Sequence, residues 1–302
     1  MSKIMNPEPP RSSNNSATTS CAVQFNPYDP AFAETDANIV LHSSNGTKYR
    51  IPSFTLRTTS GFFRDMMTLP QCNDPSLNRD DDYIILGETS KVLGTLFRMI
   101  SGFETPRWAS IDEVEDVLAA ARKYDMPGPL AAIRSMTVTP LFIGEPLRLY
   151  AIAAQQGWEE EAKEASRHTL RLCIYDAEHA STLQRVPSPY LLRLFALHRT
   201  RHDQFRALSA REGGCFGLKA RCDYCGGCQD WLPLVHRMML EMDRRPLGDT
   251  LLGRQWMEWQ ETKSFLYNGT CKQRERCVEY NLHEPKIAAF LDNSLKSLPS
   301  TI

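Results

Sequence analysis

The stretch that most constrains this chain runs from Asn38 to Ile51, NIVLHSSNGTKYRI, where two strand-favouring runs flank Asn45-Gly46. A tight reversal needs backbone of positive φ, and an Asn-Gly pair supplies it most readily, so the pattern predicts a β-hairpin closed at these two residues. After Pro52, the stretch SFTLRTTSGFFRDMM places Phe54, Leu56, Phe62, Phe63, Met66 and Met67 on two short helices, with Ser53 and Ser60 available as caps. DDYIIL, residues 81–86, reads as a third short strand.

From Ser90 the period turns helical, with Leu93, Leu96, Phe97 and Ile100 on one face and Gly102 placed to end the helix. Ser110 and Glu113 form a capping-box pair ahead of an apolar stripe, Ile111, Val114, Val117, Leu118, Ala121 and Tyr124, and Pro127 and Pro129 read as its stop. The two stripes, Leu93 to Ile100 and Val114 to Tyr124, are expected to cover the small sheet. Beyond residue 137 no strand pattern recurs. Pro146 opens a helix that Gly157 ends, a second runs from Glu159 to about Leu172, and Ser188-Pro189 opens a third, from Tyr190 to about Leu208. Strands mixed with helices, then helices alone, give an α+β domain followed by an all-α extension.

Upstream, NPEPPRSSNNSATTS is too polar to offset its ordering entropy by burial. The expected organisation is a disordered arm over 1–33, an α+β domain over 34–136, a helical extension over 137–210, and a helical C-terminal region over 211–302 that carries a Cys-rich loop. With 35 Lys and Arg against 36 Asp and Glu, no global field steers the chain toward nucleic acid or an anionic membrane. No apolar run reaches the ~18 residues a membrane span needs, and MSKIMNPEPP lacks the apolar core of a signal peptide. An intracellular home, cytoplasmic or nuclear, is expected, and the nine cysteines then read as reduced thiols, with or without a metal site.

NIVL, YRIPSFTLRTTSGFF and DMMTLPQ resemble the opening of the BTB/POZ domain, the abundant fungal proteins of that kind in particular. The likeness continues through YIILGETSKVLGTLFRMI, VEDVLAAARKYDM and EPLRLYAIAAQQGWEEEAKEASRHTL, covering roughly residues 35–200. It implies a three-stranded sheet wrapped by helices that serves as an interaction module, with no catalytic residues. The matched positions are Asn38, Leu41, Tyr49, Leu56 and the Ser60 to Phe63 start of the second helix; Asn38, Leu41, Tyr49, Leu56 and Phe63 are accordingly taken as candidate interaction residues. Other proteins are the implied partners, through a homodimer, a BTB heterodimer or a cullin-type ubiquitin ligase for which the chain would be an adaptor. Asn38, Pro52 and Ser53 stand where many animal relatives carry Asp and His-Lys, so the charged pocket at the dimer seam of those relatives is missing. The arm also lacks the apolar periodicity of a segment exchanged between protomers.

The loudest chemical motif is CDYCGGC. Cys222, Cys225 and Cys228, joined by Cys215, could hold one structural zinc from a glycine-bearing knuckle, with Cys271, Cys277, His236 and His283 as further donors. The cofactor expectation is therefore none, or that zinc. His198 and His202 share a helix face at metal spacing, but a solvated face explains them as well. The basic stretch 193–221, with Arg199, Arg201, Arg206, Arg211 and Arg221, could meet phosphates or simply face acidic residues elsewhere. Trp256, Trp259 and Phe265 fit a core stripe or a surface anchor. No nucleophile elbow, phosphate loop or dinucleotide glycine pattern is present. The expected activity is that of a non-enzymatic, protein-binding scaffold, against two alternatives: a transcription or chromatin regulator using the basic, Cys-rich half, and a zinc-dependent enzyme.

Overall fold

The computed structural model describes residues 27–69, 83–103, 107–137, 139–209, 232–268 and 283–302. These are mostly helical with one small mixed sheet, an α+β arrangement. They fall into two compact units, one of residues 27–103 with 123–126 and one of residues 107–122 with 127–302.

In the first unit β1 (Ile39–His42) pairs antiparallel with β2 (Lys48–Ile51) and parallel with β3 (Tyr83–Ile85), in the order β2-β1-β3. Leu41, Tyr49 and Ile51 are fully buried on one face, as side-chain alternation along paired strands requires. The hairpin forms where the Asn-Gly pair predicts it, but only Gly46 takes a positive φ, +96°. Ser43 closes the turn, its N–H reaching Thr47 O at 2.9 Å, and Asn45 is released for another task. Its Oδ1 accepts the Ser90 N–H at 2.8 Å and its Nδ2 donates to Ser90 Oγ at 2.9 Å, which caps α3 (Ser90–Ile100). The apolar stripe of α3 covers the sheet, with the Phe97 ring centred 5.1 Å from that of Tyr49 and the Tyr49 hydroxyl donating to Ser90 O. Gly102, at φ +76°, follows its end.

The expected arm extends to residue 33, yet its last seven residues are docked. Lys48 N donates to Pro27 O and Asp29 N to Lys48 O, so this segment lies along β2. Phe32 is buried edge-on among Tyr49, Phe97 and Phe103, and Arg98 grips both Asp29 oxygens at 2.9 Å. Polarity averaged over the arm hides this anchor, because one buried aromatic ring and one bidentate ion pair outweigh the neighbouring composition. Residues 1–26 lie outside the described set.

Between the strands, α1 (Ser53–Thr59) and α2 (Gly61–Thr68) break at Ser60, whose extended backbone lets its Oγ accept the Phe63 N–H at 3.1 Å. The same hydroxyl donates to Tyr124 O at 2.6 Å.

In α4 (Ile111–Lys123), Ser110 and Glu113 cap the start as expected, and the stripe from Ile111 to Ala121 is buried. Pro127 and Pro129 do not act as the stop. Asp125, at φ +49°, turns the chain, and Pro127 begins α5 (Pro127–Ser135), where a first-turn residue needs no N–H donor. The second unit continues through α6 (Pro140–Ile143), α7 (Pro146–Gln156), α8 (Glu159–Thr169), α9 (Ala180–Gln184) and α10 (Ser188–Ser209). Gly157, at φ +68°, joins α7 to α8. Then α11 (Leu232–Arg244), α12 (Asp249–Leu252), α13 (Gln260–Asn268) and α14 (His283–Ser297) surround a core of Phe205, Met238, Met242, Trp256 and Leu291. Among the described residues no strand follows Ile85, and no helix is long and apolar enough to cross a membrane.

Candidate interaction surface

The paired helices α1 and α2 carry large apolar side chains on both sides. Leu56 and Phe63 point inward and are fully buried, Phe63 stacking on Tyr124 with ring centres 5.5 Å apart. Phe54 is 73% exposed. Two positions along a helix differ by ~200°, so packing Leu56 inward turns Phe54 outward. Phe62 is partly exposed with its ring edge-on to both Phe63 and Tyr124, and Leu69, just past α2, is exposed. Gly61 fixes the approach of this pair to residues 123–126. Its N–H donates to Asp125 O at 2.9 Å, and a Cβ there would stand 1.8 Å from Asp125 Oδ2.

That segment is held from the other side by Glu88, which accepts from Lys123 Nζ at 2.7 Å and from the Tyr124 hydroxyl. Burial disfavours the Glu88 charge, but the bonds from Lys123 and Tyr124 outweigh it and hold the carboxyl below its ordinary range. Burial, then the Glu88 bond, push the Tyr124 phenol well above its usual value, so it remains a donor. The exposed rings of Phe54 and Phe62 thus stand on a helix pair whose inner side is fastened to residues 123–126.

The residues taken from the BTB/POZ resemblance sit differently. Leu41, Tyr49, Leu56 and Phe63 are 0% exposed; they are core positions, and the reading of them as contacts is corrected. Asn38 is exposed, but both of its side-chain groups are committed to Ser53. Phe54, Phe62 and Leu69, which the sequence reading did not select, are the ones a partner can reach. Their signal was their place off the stripe that buries Leu56 and Phe63.

Cys215, Cys222, Cys225 and Cys228 lie outside the described residues, as do Cys271 and Cys277. Among the described residues no group of three or more His, Cys, Asp and Glu is placed to hold a metal ion. His198 and His202 do not share a ligand position. His198 is buried, its Nε2 3.1 Å from Thr169 Oγ1, and burial, helped by Arg201, pushes its pKa down to about 4. His202 lies against Asp203 and Asp243. The His202 side chain is only 14% exposed, so a solvated face describes neither histidine.

The basic stretch divides in the same way. Arg199 pairs with Asp203 at 2.8 Å and Arg193 with Glu159 at 2.5 Å. Arg201 is 2% exposed and gives its guanidinium to four carbonyls: Pro246, Leu247, Leu298 and Pro299. It cannot meet a phosphate from there, while Arg211 and Arg221 lie outside the described residues. Trp256 is fully buried in the second unit's core, in agreement with the core-stripe reading. An open cleft of about 540 Å³ runs beside Tyr28, Asp29, Asn45 and Arg98, but its Asp29 and Arg98 neutralise one another.

No protein-family model matches this chain and no curated protein matches it, so the BTB/POZ resemblance rests on the residues quoted for it.

Proposed function

We propose that this chain is a protein-interaction module of the BTB/POZ kind, acting by holding other proteins and with no reaction of its own. The observation that carries the reading is the pair α1–α2, buried through Leu56 and Phe63 and exposing Phe54 and Phe62. Exposed apolar residues that gather in one place mark interaction sites where singly scattered ones do not, and Phe54 and Phe62 lie on this one helix pair with Leu69 just beyond it. The order of elements, hairpin, helix pair, third strand and covering helix, agrees with the resemblance read in the sequence.

The occupant favoured for the α1–α2 surface is a second copy of the chain. The sharper form makes the module an adaptor for a cullin-type ubiquitin ligase, with the helices after residue 137 as its extension. Light scattering of the full chain tests self-association, and capture of a purified cullin tests the adaptor role. A transcription or chromatin role is weakened by Arg201, which is spent inside the protein.

A further inference from the structure

The register aligns Val40 with Arg50 and Tyr83, and His42 with Lys48 and Ile85, so these six side chains share the face opposite buried Leu41 and Tyr49. None of the six is acidic. Ile85 is 68% exposed and Tyr83 is partly exposed.

The two cations of this face lie over aromatic rings. Lys48 Nζ lies 5.4 Å above the Tyr83 ring, and Arg50 lies 4.3 Å over Tyr28 while donating to Ala33 O at 3.4 Å. Among the described residues neither has a carboxylate partner. Cations held over aromatic rings lose conformational freedom before any anion arrives, so an arriving carboxylate meets pre-oriented charge.

We infer that this sheet face docks an acidic peptide segment bearing apolar side chains, its carboxylates meeting Lys48 and Arg50 and its apolar groups covering Val40 and Ile85. Charge complementarity sets the choice of occupant. Residues 1–26 contain one acidic residue, Glu8, against Lys3 and Arg11, and so supply no counter-charge. A single-stranded nucleic acid is the poorer fit, because the Tyr83 ring a base would stack on is already flanked by Lys48 and by His42, 5.2 Å away. The inference deepens the interaction-module reading by naming a partner class, and it does not use Phe54 or Phe62.

Selection of a displayed random-peptide library on the full chain tests it. The expected result is enrichment of acidic, apolar-bearing peptides whose binding weakens with salt and falls about tenfold or more in both Lys48→Glu and Ile85→Ser. Ile85 is exposed and Lys48 is half-buried, and circular dichroism checks that the variants fold. The inference is overturned by no enrichment, by peptides without acidic excess, or by binding indifferent to both substitutions. Enrichment appearing only after Asp80, Asp81 and Asp82 are replaced by Ser would overturn it in favour of the chain's own acidic segment. Salt-dependent, Lys48-dependent binding of fluorescein-labelled oligouridine in place of peptide would overturn it in favour of nucleic acid. Loss of self-association with intact peptide binding would sink the α1–α2 reading alone, and the reverse result would sink this one alone.

Discussion

Asn38 and Ser53 hold each other twice: Asn38 Oδ1 accepts the Ser53 N–H at 2.8 Å, and Asn38 Nδ2 donates to Ser53 Oγ at 3.0 Å. Asn45 and Ser90 repeat the arrangement at the start of α3. Two asparagines flanking β1 thus cap two helices from outside those helices, which ties the sheet to the elements that pack around it.

Removing either cap should cost what a helix N-cap is worth. Asn38→Ala and Asn45→Ala are each expected to lower stability by about 1 kcal/mol in urea denaturation, and the double variant by about the sum, because the two share no partner. Asn38→Asp keeps the acceptor for Ser53 N–H and should fall between wild type and Asn38→Ala.

Ser60 is the more costly position. Its buried hydroxyl serves Phe63 N and Tyr124 O together, so Ser60→Ala leaves two buried backbone groups without that partner. A loss of about 2 kcal/mol is expected, with hydrogen exchange speeding up first in α2 and at residues 123–126. A loss near zero would show that water replaces the hydroxyl.

Much of this fold was legible because it follows from local pattern. The hairpin, the split at Ser60, the Ser110–Glu113 cap and the glycines ending α3 and α7 are each set by neighbouring residues. What could not be read depends on distant pairing. Nothing around Arg201 announces that its four acceptors come from residues 246–247 and 298–299, and nothing around His198 announces Thr169. The same holds for the candidate surface. A resemblance to a family picks out positions that keep the fold, so it led to Leu41, Tyr49, Leu56 and Phe63, whereas the exposed apolar residues lie where the stripe is broken.

His198 should make the second unit acid-sensitive. Thr169 Oγ1 donates to Ser166 O, so the ring donates from Nε2 in either protonation state, and burial beside Arg201 is what favours the neutral one. Its pKa is about 4 folded against an ordinary 6.5, so the unfolded chain takes up the proton first as pH falls. The stability from the neutral ring is complete above about pH 6.5, is lost between about 6.5 and 4, and falls no further below that; its size is up to about 3 kcal/mol. Urea midpoints of wild type and His198→Gln across this window should converge toward acid, because the variant lacks this contribution to the slope. Parallel curves would contradict the assignment.

Arg201 should be irreplaceable by lysine. One ammonium cannot span four carbonyls that a planar guanidinium reaches from three nitrogens. Arg201→Lys and Arg201→Ala are both expected to lose about 3 kcal/mol or more, with residues 298–302 becoming the first site of proteolysis. Protection of that segment in Arg201→Lys would show that fewer contacts suffice.

The central claim, that α1–α2 is a surface covered by a second copy of the chain, is tested most directly by light scattering of the full chain over a concentration series, beside Phe54→Asp. The account predicts a dimer that dissociates on dilution, and a Phe54→Asp variant that is monomeric with an unchanged circular dichroism spectrum. A wild type that stays monomeric at every concentration, or a variant that dimerises equally well, would contradict it.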